Sequence, residues 1–553
     1  MSQRLILSGS STTLILAWLL PHHYAPWMTA FQDALAIMSI LILALYCSLR
    51  DRLYFPPIVP VFFFVLLIPL IQAWTGLVWF WGDAWISFIY LSSFCLAFLV
   101  GYNSAEARQK QQRLLDWLFA SLIIGAILSL ILATRQWLYQ PAGVWGIDIV
   151  GRRPSGNMAQ PNNFASLLCM AVCGALYFYE RRVIGKAVTA LLVVVLLFGI
   201  ALAQSRTSWV VALFFLGFMA YAGRAIRFRT RFGAAVLGVG LLTCFVASLP
   251  LVSEGLLLTS PDLLDRVKQA QRLELYQMFT AAILQGGVWG YGWTQVALAQ
   301  LAVAPDYLLG LRASQTHNLL LDIILWNGPI LGAGIIVALG IWIFRLCSRL
   351  RTPSAFFALM AFFCLLIHGM LEYPLEYAFF LMPAGLLLGR VSSEFEKPLA
   401  SMPRWLGVAM VLTVALLGGR AIYEYVQLEN EYRQVRLESV KVIPKEENRV
   451  LPQVLVVDQI EAMVKVFRME VRPGLSSAEL DFIGKTAHRY PNHYLLNFYA
   501  LNLVENGCVD MAYQQLVLIR ALYGNKEYEM SREQVESRLG ISPRDQRYSC
   551  PIR

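Results

Sequence analysis

The sequence predicts an all-α polytopic membrane protein of about 13 transmembrane helices (12 to 14), with one large loop and a helical carboxy-terminal domain. Three observations carry this reading. Of 553 residues, 58% are hydrophobic and 14% charged, where an ordinary soluble globule has roughly 45–50% and about 25%. Apolar runs long enough to cross a bilayer core of about 30 Å recur along the chain. Nearly half of all charged side chains fall beyond Tyr423, so the remainder is poorer in charge still.

Taken in order, the apolar segments lie near 9–28, 30–49, 57–80, 84–102, 115–138, 162–180, 184–203, 208–223 and 232–252. Four more, near 317–344, 354–371, 374–390 and 404–423, follow the longest loop. The first opens on the polar run Gly9-Ser10-Ser11-Thr12-Thr13, and only Glu372-Tyr373 divides the pair around it. No small-residue cleavage site follows the first run, which reads as an uncleaved anchor.

Lys and Arg set the orientation. They cluster at Arg4, Arg50 and Arg52, Arg108 to Arg113, Arg181 to Lys186, Arg224 to Arg231, Arg345 to Arg351 and Arg390 to Arg404. With thirteen spans and a cytoplasmic amino terminus, every cluster is cytoplasmic, as the positive-inside rule expects. Loops 139–161 and 253–316 and the tail 424–553 then face the periplasm of a Gram-negative inner membrane. The chain divides into amino-terminal membrane helices (1–138), a membrane core with both loops (139–423) and a soluble helical periplasmic domain (424–553). Chemistry on that side has no ATP supply, so a transferase there needs a donor activated beforehand.

The formal charge of +10 does not indicate nucleic acid, because the tail is close to neutral and the excess lies in loops between spans, where it is a topology signal. Nine cysteines form no CxxC pair with metal spacing. Cys508 and Cys550 fall in the polar tail and can form a disulfide if it faces an oxidising compartment. Tyr499-Ala500, Leu503, Gly507, Ala512 and Leu516 weakly resemble one TPR-like hairpin. No second copy is evident, which favours ordinary helical packing.

Five polar constellations lie at the outer ends of spans. Gly151-Arg152-Arg153-Pro154-Ser155-Gly156-Asn157-Met158-Ala159-Gln160-Pro161-Asn162-Asn163 leads into an apolar helix. Turn glycines and an Asn cap explain part of it, but not Gln160 or the two arginines. Gln204-Ser205-Arg206-Thr207-Ser208-Trp209 places one Arg between two spans. Its planar fork suits a pyrophosphate, and snorkelling to headgroups is the rival reading. Arg272-Leu273-Glu274-Leu275-Tyr276 precedes Gly286-Gly287-Val288-Trp289-Gly290-Tyr291-Gly292-Trp293, a Gly- and Trp-rich stretch expected to re-enter or lie along the membrane.

Ser314-Gln315-Thr316-His317-Asn318 puts a histidine at the mouth of the next span. There it either accepts a proton from a hydroxyl or merely starts a helix. His368-Gly369-Met370-Leu371-Glu372-Tyr373-Pro374-Leu375-Glu376-Tyr377 sets two carboxylates beside two phenols. With no DxD motif, capping and orientation of His317 or an arginine are preferred to metal binding. Basic residues in the outer loops, including Arg266, Lys268 and Arg312, pair with nearby acids or face a polyanionic ligand.

Together, Arg153-Pro154-Ser155-Gly156-Asn157-Met158-Ala159-Gln160-Pro161-Asn162, Gln204-Ser205-Arg206-Thr207, Arg272-Leu273-Glu274-Leu275-Tyr276, His317-Asn318 and Glu372-Tyr373-Pro374 resemble the PglL-type bacterial O-oligosaccharyltransferases, relatives of the O-antigen ligases and Wzy polymerases. The motifs span about 140–390. Met158 stands where that family often has Leu, and Asn163 where it often has His. The resemblance implies transfer of a glycan from undecaprenyl pyrophosphate to a Ser or Thr hydroxyl of a periplasmic protein, typically a pilin. The partners would be that lipid-linked oligosaccharide donor, the acceptor protein and inner-membrane lipid. Neither a cofactor nor a metal is expected.

The roles implied are His317, Arg206 and Arg272 in catalysis, with Gln160, Arg152, Arg153 and Asn157 binding the donor pyrophosphate. Tyr373, Glu372 and Asn318 would orient the acceptor. The expected chemistry is direct displacement with inversion. Within the superfamily, the alternative is O-antigen ligation to lipid A core, or polymerisation. A flippase or transporter for the same lipid-linked sugar would need polar groups at mid-membrane, whereas here they gather at the outer edge.

Overall fold

The computed structural model describes residues 3–104, 113–141, 143–149, 153–256, 258, 270–446, 449–541 and 550. Arg152, Arg266 and Lys268 lie outside the described residues. The described chain is helical almost throughout. Helices α1 (Gln3–Leu19), α2 (Ala30–Arg50), α3 (Val59–Trp74), α4 (Trp81–Asn103) and α5 (Arg113–Trp137) come first. Then follow α6 (Pro161–Glu180), α7 (Lys186–Ala203), α8 (Arg206–Ala222), α9 (Phe232–Gly255), α10 (Ala270–Gln285) and α11 (Val296–Val303). Next are α12 (Leu319–Ser348), α13 (Pro353–Gly369), α14 (Ala378–Phe395) and α15 (Arg404–Ser439). The tail folds as α16 (Asp458–Arg468), α17 (Ser477–Arg489), α18 (His493–Glu505), α19 (Val509–Tyr523) and α20 (Asn525–Ile541). Strands β1 (Leu53–Phe55) and β2 (Ala400–Met402) pair antiparallel.

Each of the thirteen apolar stretches overlaps a helix, and eight of these helices are long and apolar enough to cross a membrane. The chain is a multi-pass membrane protein. Two boundaries differ most from expectation. The first stretch, expected at 9–28, is helical only to Leu19, because Leu20 precedes Pro21 and a residue before proline is driven out of the helical region. The last, expected to end at 423, continues to Ser439. Polarity changes at Glu424, but the Glu, Gln, Leu and Arg residues beyond it are good helix formers.

Contacts divide the chain into two compact units, one made of 1–65, 89–267 and 338–419, the other of 66–88, 268–337 and 420–553. In the first, helices approach closely through small residues, as membrane helices do. A side chain on Gly101 would strike the Leu386 carbonyl, and one on Gly389 that of Phe98. Buried polar groups find partners. The orphan first amide of α14, Ala378 N, donates to Asp33 Oδ1 at 2.7 Å, and Trp18 Nε1 donates to Phe379 O at 3.0 Å.

In the second unit α12 is broken, with Gly328 in the left-handed region at φ 77°. The carbonyls freed there are answered by the Gly-rich stretch, Tyr291 N donating to Leu325 O (2.9 Å) and Gly292 N to Trp326 O (3.1 Å). Gln72 Nε2 adds a bond to Trp326 O at 3.0 Å, while Gln72 Oε1 accepts from Trp293 N at 2.8 Å. Non-helical backbone is tolerated in such surroundings only when its groups are satisfied in this way.

The tail helices pack in sequence around one apolar core that includes Tyr499, Ala500, Leu503, Ala512 and Leu516. Ser476 and Glu479 form a reciprocal capping box on α17, and Cys508 and Cys550 are joined by a disulfide.

Candidate active site

The loop entering α6 is built by its own backbone chemistry. A 3-10 turn, Gly156–Met158, ends at Ala159 in the left-handed region (φ 57°), after which Gln160 is extended and Pro161 takes the first helical position. Proline fits there because that amide has no helical partner in any case. Gln160 caps the helix, its Oε1 accepting from Asn163 N at 2.8 Å. Among the described residues its Nε2 group has no hydrogen-bond partner, so an amide donor remains on a half-buried side chain.

The loop is clamped from α5 by Gln136, which sequence reasoning missed. Its Oε1 accepts from Ser155 N and Gly156 N, both at 2.9 Å, and its Nε2 donates to Gly156 O at 2.9 Å and Ile147 O at 3.0 Å. Asn157, expected at the donor, is 1% exposed and its amide serves the backbone. Its Nδ2 donates to Leu19 O at 2.6 Å and its Oδ1 accepts from Ile147 N at 3.2 Å. The geometry makes it a positioning residue for this loop.

Arg153 draws two motifs together. Its Nε donates to Ala203 O at 2.9 Å and its NH2 to Asn162 Oδ1 at 3.0 Å. Ala203 ends α7, Gln204 turns the chain in the left-handed region (φ 47°), and Arg206 opens α8 with its side chain exposed. Asn162 in turn reaches Glu372 Oε1 at the long limit of 3.5 Å. Glu372 is 7% exposed, and its neighbour Tyr373 precedes the 3-10 turn Pro374–Glu376. Burial, and secondarily the charges of Glu372 and Glu376, push the Tyr373 phenol above its usual range. Tyr373 is therefore a neutral phenol at pH 7. His368 is fully buried, with Nδ1 2.8 Å from Ser166 Oγ.

The second unit gathers the remaining motifs. His317 stands just before α12 with φ 59°, an uncommon conformation for a non-glycine residue that concentrates at functional sites. Asn318, expected to orient the acceptor, caps α12, with Oδ1 accepting from Leu320 N (3.0 Å) and Leu321 N (3.2 Å). Thr316 N donates to Asp322 Oδ1 at 3.1 Å. Arg272 lies one helical turn before Tyr276, whose hydroxyl donates to the His317 carbonyl at 3.3 Å. Tyr276 thus joins the Arg272 helix to the His317 turn.

Arg153, Gln160, Arg206, Glu372 and Tyr373 form one group, and Arg272, His317 and Asn318 the other. Ala159, Gln204 and His317 are left-handed non-glycine residues, one in each of three motifs. Among the described residues no three His, Cys, Asp or Glu side chains come together to hold a metal.

Comparison with known proteins gives these groups a setting. Residues 356–537 match the family described as virulence factor membrane-bound polymerase, C-terminal. The chain is 28% identical over 542 residues to a general O-oligosaccharyltransferase of Acinetobacter baylyi, covering 95% of this chain and 94% of that protein. Over nearly its whole length the chain is similar to an O-oligosaccharyltransferase. A ComP-specific O-oligosaccharyltransferase of the same organism is 27% identical over 390 residues, 68% of this chain and 69% of the relative. The first of these matches spans 95% of the chain and so takes in both groups of polar residues and the helical tail.

Proposed function

We propose that this chain transfers a glycan en bloc from undecaprenyl pyrophosphate to a Ser or Thr hydroxyl of periplasmic proteins such as pilin. The observation that carries this is the gathering of Arg153, Gln160 and Arg206 where α6, α7 and α8 begin or end. Fixed cations and an amide donor at the ends of apolar helices suit an anionic headgroup whose tail lies in lipid. The relatives' names give the reaction class. The positive-inside pattern puts the amino terminus in the cytoplasm and the tail in the periplasm.

In this reading the acceptor hydroxyl attacks the anomeric carbon, the bond to the pyrophosphate oxygen breaks, and the configuration inverts. His317 takes the hydroxyl proton. Arg206 and Arg272, with Arg153 and Arg152, neutralise the charge growing on the leaving pyrophosphate. Gln160 donates to the donor from its free amide. Tyr373, a neutral phenol held beside Glu372, orients the acceptor, and Asn318 sets the turn that carries His317. In this reading the reaction needs no added cofactor.

The test supplies donor and acceptor to cells carrying His317→Ala or Arg206→Ala. Loss of roughly 100-fold or more of glycoprotein formation is expected, the scale of removing one electrostatic or acid–base group. Unchanged yield with either substitution removes that residue from the mechanism. The polymerase description of the matched family favours a second reading, ligation or polymerisation of O-antigen. A deletion strain with altered lipopolysaccharide and normal glycoproteins would establish it.

A further inference from the structure

A cavity of about 580 Å³ lies within the first unit between α6, α7, α8 and α9. Its walls are apolar along most of their length, from Ile200 and Leu242 to Ala190 and Ala234, and its charged groups gather at one end. That end carries Lys186, Arg229, Thr230 and Arg231. It is also where α7 and α9 begin, so two helix amino termini add their positive poles. Basic residues at helix ends are often a topology signal alone. Thr230 separates the two cases. It is 7% exposed and lines the cavity, and its Oγ1 has no hydrogen-bond partner among the described residues. A buried hydroxyl left unanswered is costly and marks a place for an acceptor.

Glu180, which accepts from Arg229 N at 2.8 Å and Thr230 N at 2.7 Å and so fixes the loop, offsets only one of the three positive charges of Lys186, Arg229 and Arg231. Arg229 is held over the Tyr179 ring, 4.0 Å from its centroid, with NH1 donating to Tyr179 O at 2.7 Å. Lys186 and Arg231 are exposed at the mouth. A phosphate-bearing, negatively charged head joined to alkyl chains matches this division of cavity and cations.

We propose that this cavity is a site for one anionic diacyl phospholipid. Its phosphate is held by Lys186, Arg231 and the Thr230 hydroxyl, and an acyl chain fills the space between α7 and α9. The site does not depend on the transferase reading, because none of its residues is assigned to the reaction.

The test uses the full chain purified in detergent, with native mass spectrometry for retained lipid and thermal unfolding for the effect of added lipid. Phosphatidylglycerol should remain bound to the wild-type chain and raise its melting temperature. Phosphatidylethanolamine, inorganic phosphate and undecaprenyl phosphate should do so less. Lys186→Gln with Arg231→Gln should weaken phosphatidylglycerol binding about tenfold or more, each cation contributing to headgroup attraction.

Gly238 lines the cavity and an added Cβ there meets nothing within 4 Å. Gly238→Phe should therefore expel the lipid, whereas Gly240→Phe on the same helix, outside the lining, should not. The proposal is overturned if phosphatidylethanolamine or undecaprenyl phosphate binds as well as phosphatidylglycerol. Equal retention by wild type and both cavity variants, or no retained phospholipid in any of them, overturns it as well.

Discussion

Arg489, at the end of α17, grips Asp83, in the first turn of α4, with two parallel bonds: Nε to Oδ2 at 2.6 Å and NH2 to Oδ1 at 2.8 Å. Beside it Asp458 accepts from Gly82 N at 2.6 Å and Trp81 N at 3.2 Å, satisfying orphan amides at the start of α4. The tripeptide Trp81-Gly82-Asp83 is thus where tail helices fasten to the 66–88 segment within the second unit.

Both members of this pair are largely buried, at 17% and 5% exposed. Arg489→Ala should therefore cost about 3–5 kcal/mol, the penalty for stranding a buried partner. Arg489→Lys should restore only part, because a point charge cannot match both carboxylate oxygens. Hydrogen exchange on peptides covering α17 and α18 in the full chain reads the loss directly.

The same helix supplies a pH dependence. His488 is packed in the tail, its Nε2 2.9 Å from Gln515 Oε1, and burial lowers its pKa below the ordinary histidine value. The folded chain then binds fewer protons than the unfolded chain as pH falls below about 6.5. The stability carried by neutral His488 is fully present above that pH and is lost on acidification toward the lower folded pKa. Exchange protection in the tail should fall over this window in the wild type. His488→Phe should flatten that slope whatever it does to absolute stability.

Gln160 separates capping from donor binding. Gln160→Glu keeps an oxygen to accept from Asn163 N and places a negative charge at a helix start, which helices favour. The α6 entrance should remain protected from exchange. Glycan transfer should nevertheless fall by about 100-fold, because the free amide is replaced by a charge that repels the leaving pyrophosphate. Equal activity in this variant and the wild type would take Gln160 out of donor binding.

Gly156 and Gln136 hold the same loop from beneath. At φ 58°, with a Cβ facing Ser129 O at 2.9 Å, Gly156→Ala meets both backbone strain and a clash, worth about 1–2 kcal/mol for the backbone part. Gln136→Leu leaves buried amides unanswered at about 1–3 kcal/mol each. Both should raise exchange in 143–149 and 153–160 and reduce transfer, while tail protection stays at the wild-type level.

Much of this was legible from the residues alone. Apolar length places every long helix, because a bilayer-length run has few alternatives, and the proline after Leu20 accounts for the early end of α1. Compositional reading put a boundary at Tyr423 because it registers polarity, whereas α15 obeys helix propensity and continues. The motifs holding Gln160, Arg206 and His317 stood out as polar residues at helix ends. Gln136 did not, because one glutamine inside an apolar run carries no local signal of the loop it will clamp. The left-handed turns at Ala159, Gln204 and His317 were equally hidden, since none is the glycine or asparagine that usually marks one. The docking of the Gly- and Trp-rich stretch on the opened turn of α12 was hidden too, because that contact joins residues far apart in sequence.

That opened turn receives the loop through peptide groups, Tyr291 N and Gly292 N bonding to Leu325 O and Trp326 O. The rings add to that hold, Trp293 lying 5.0 Å from the Trp326 ring and the Tyr291 hydroxyl donating to Ala282 O at 3.0 Å. Neither side of the contact has room to spare: a Cβ on Gly328 would strike the Val288 carbonyl, and one on Gly290 the Leu325 carbonyl. Any drift in the sequence of this loop is therefore tethered to two bare positions, one on each partner.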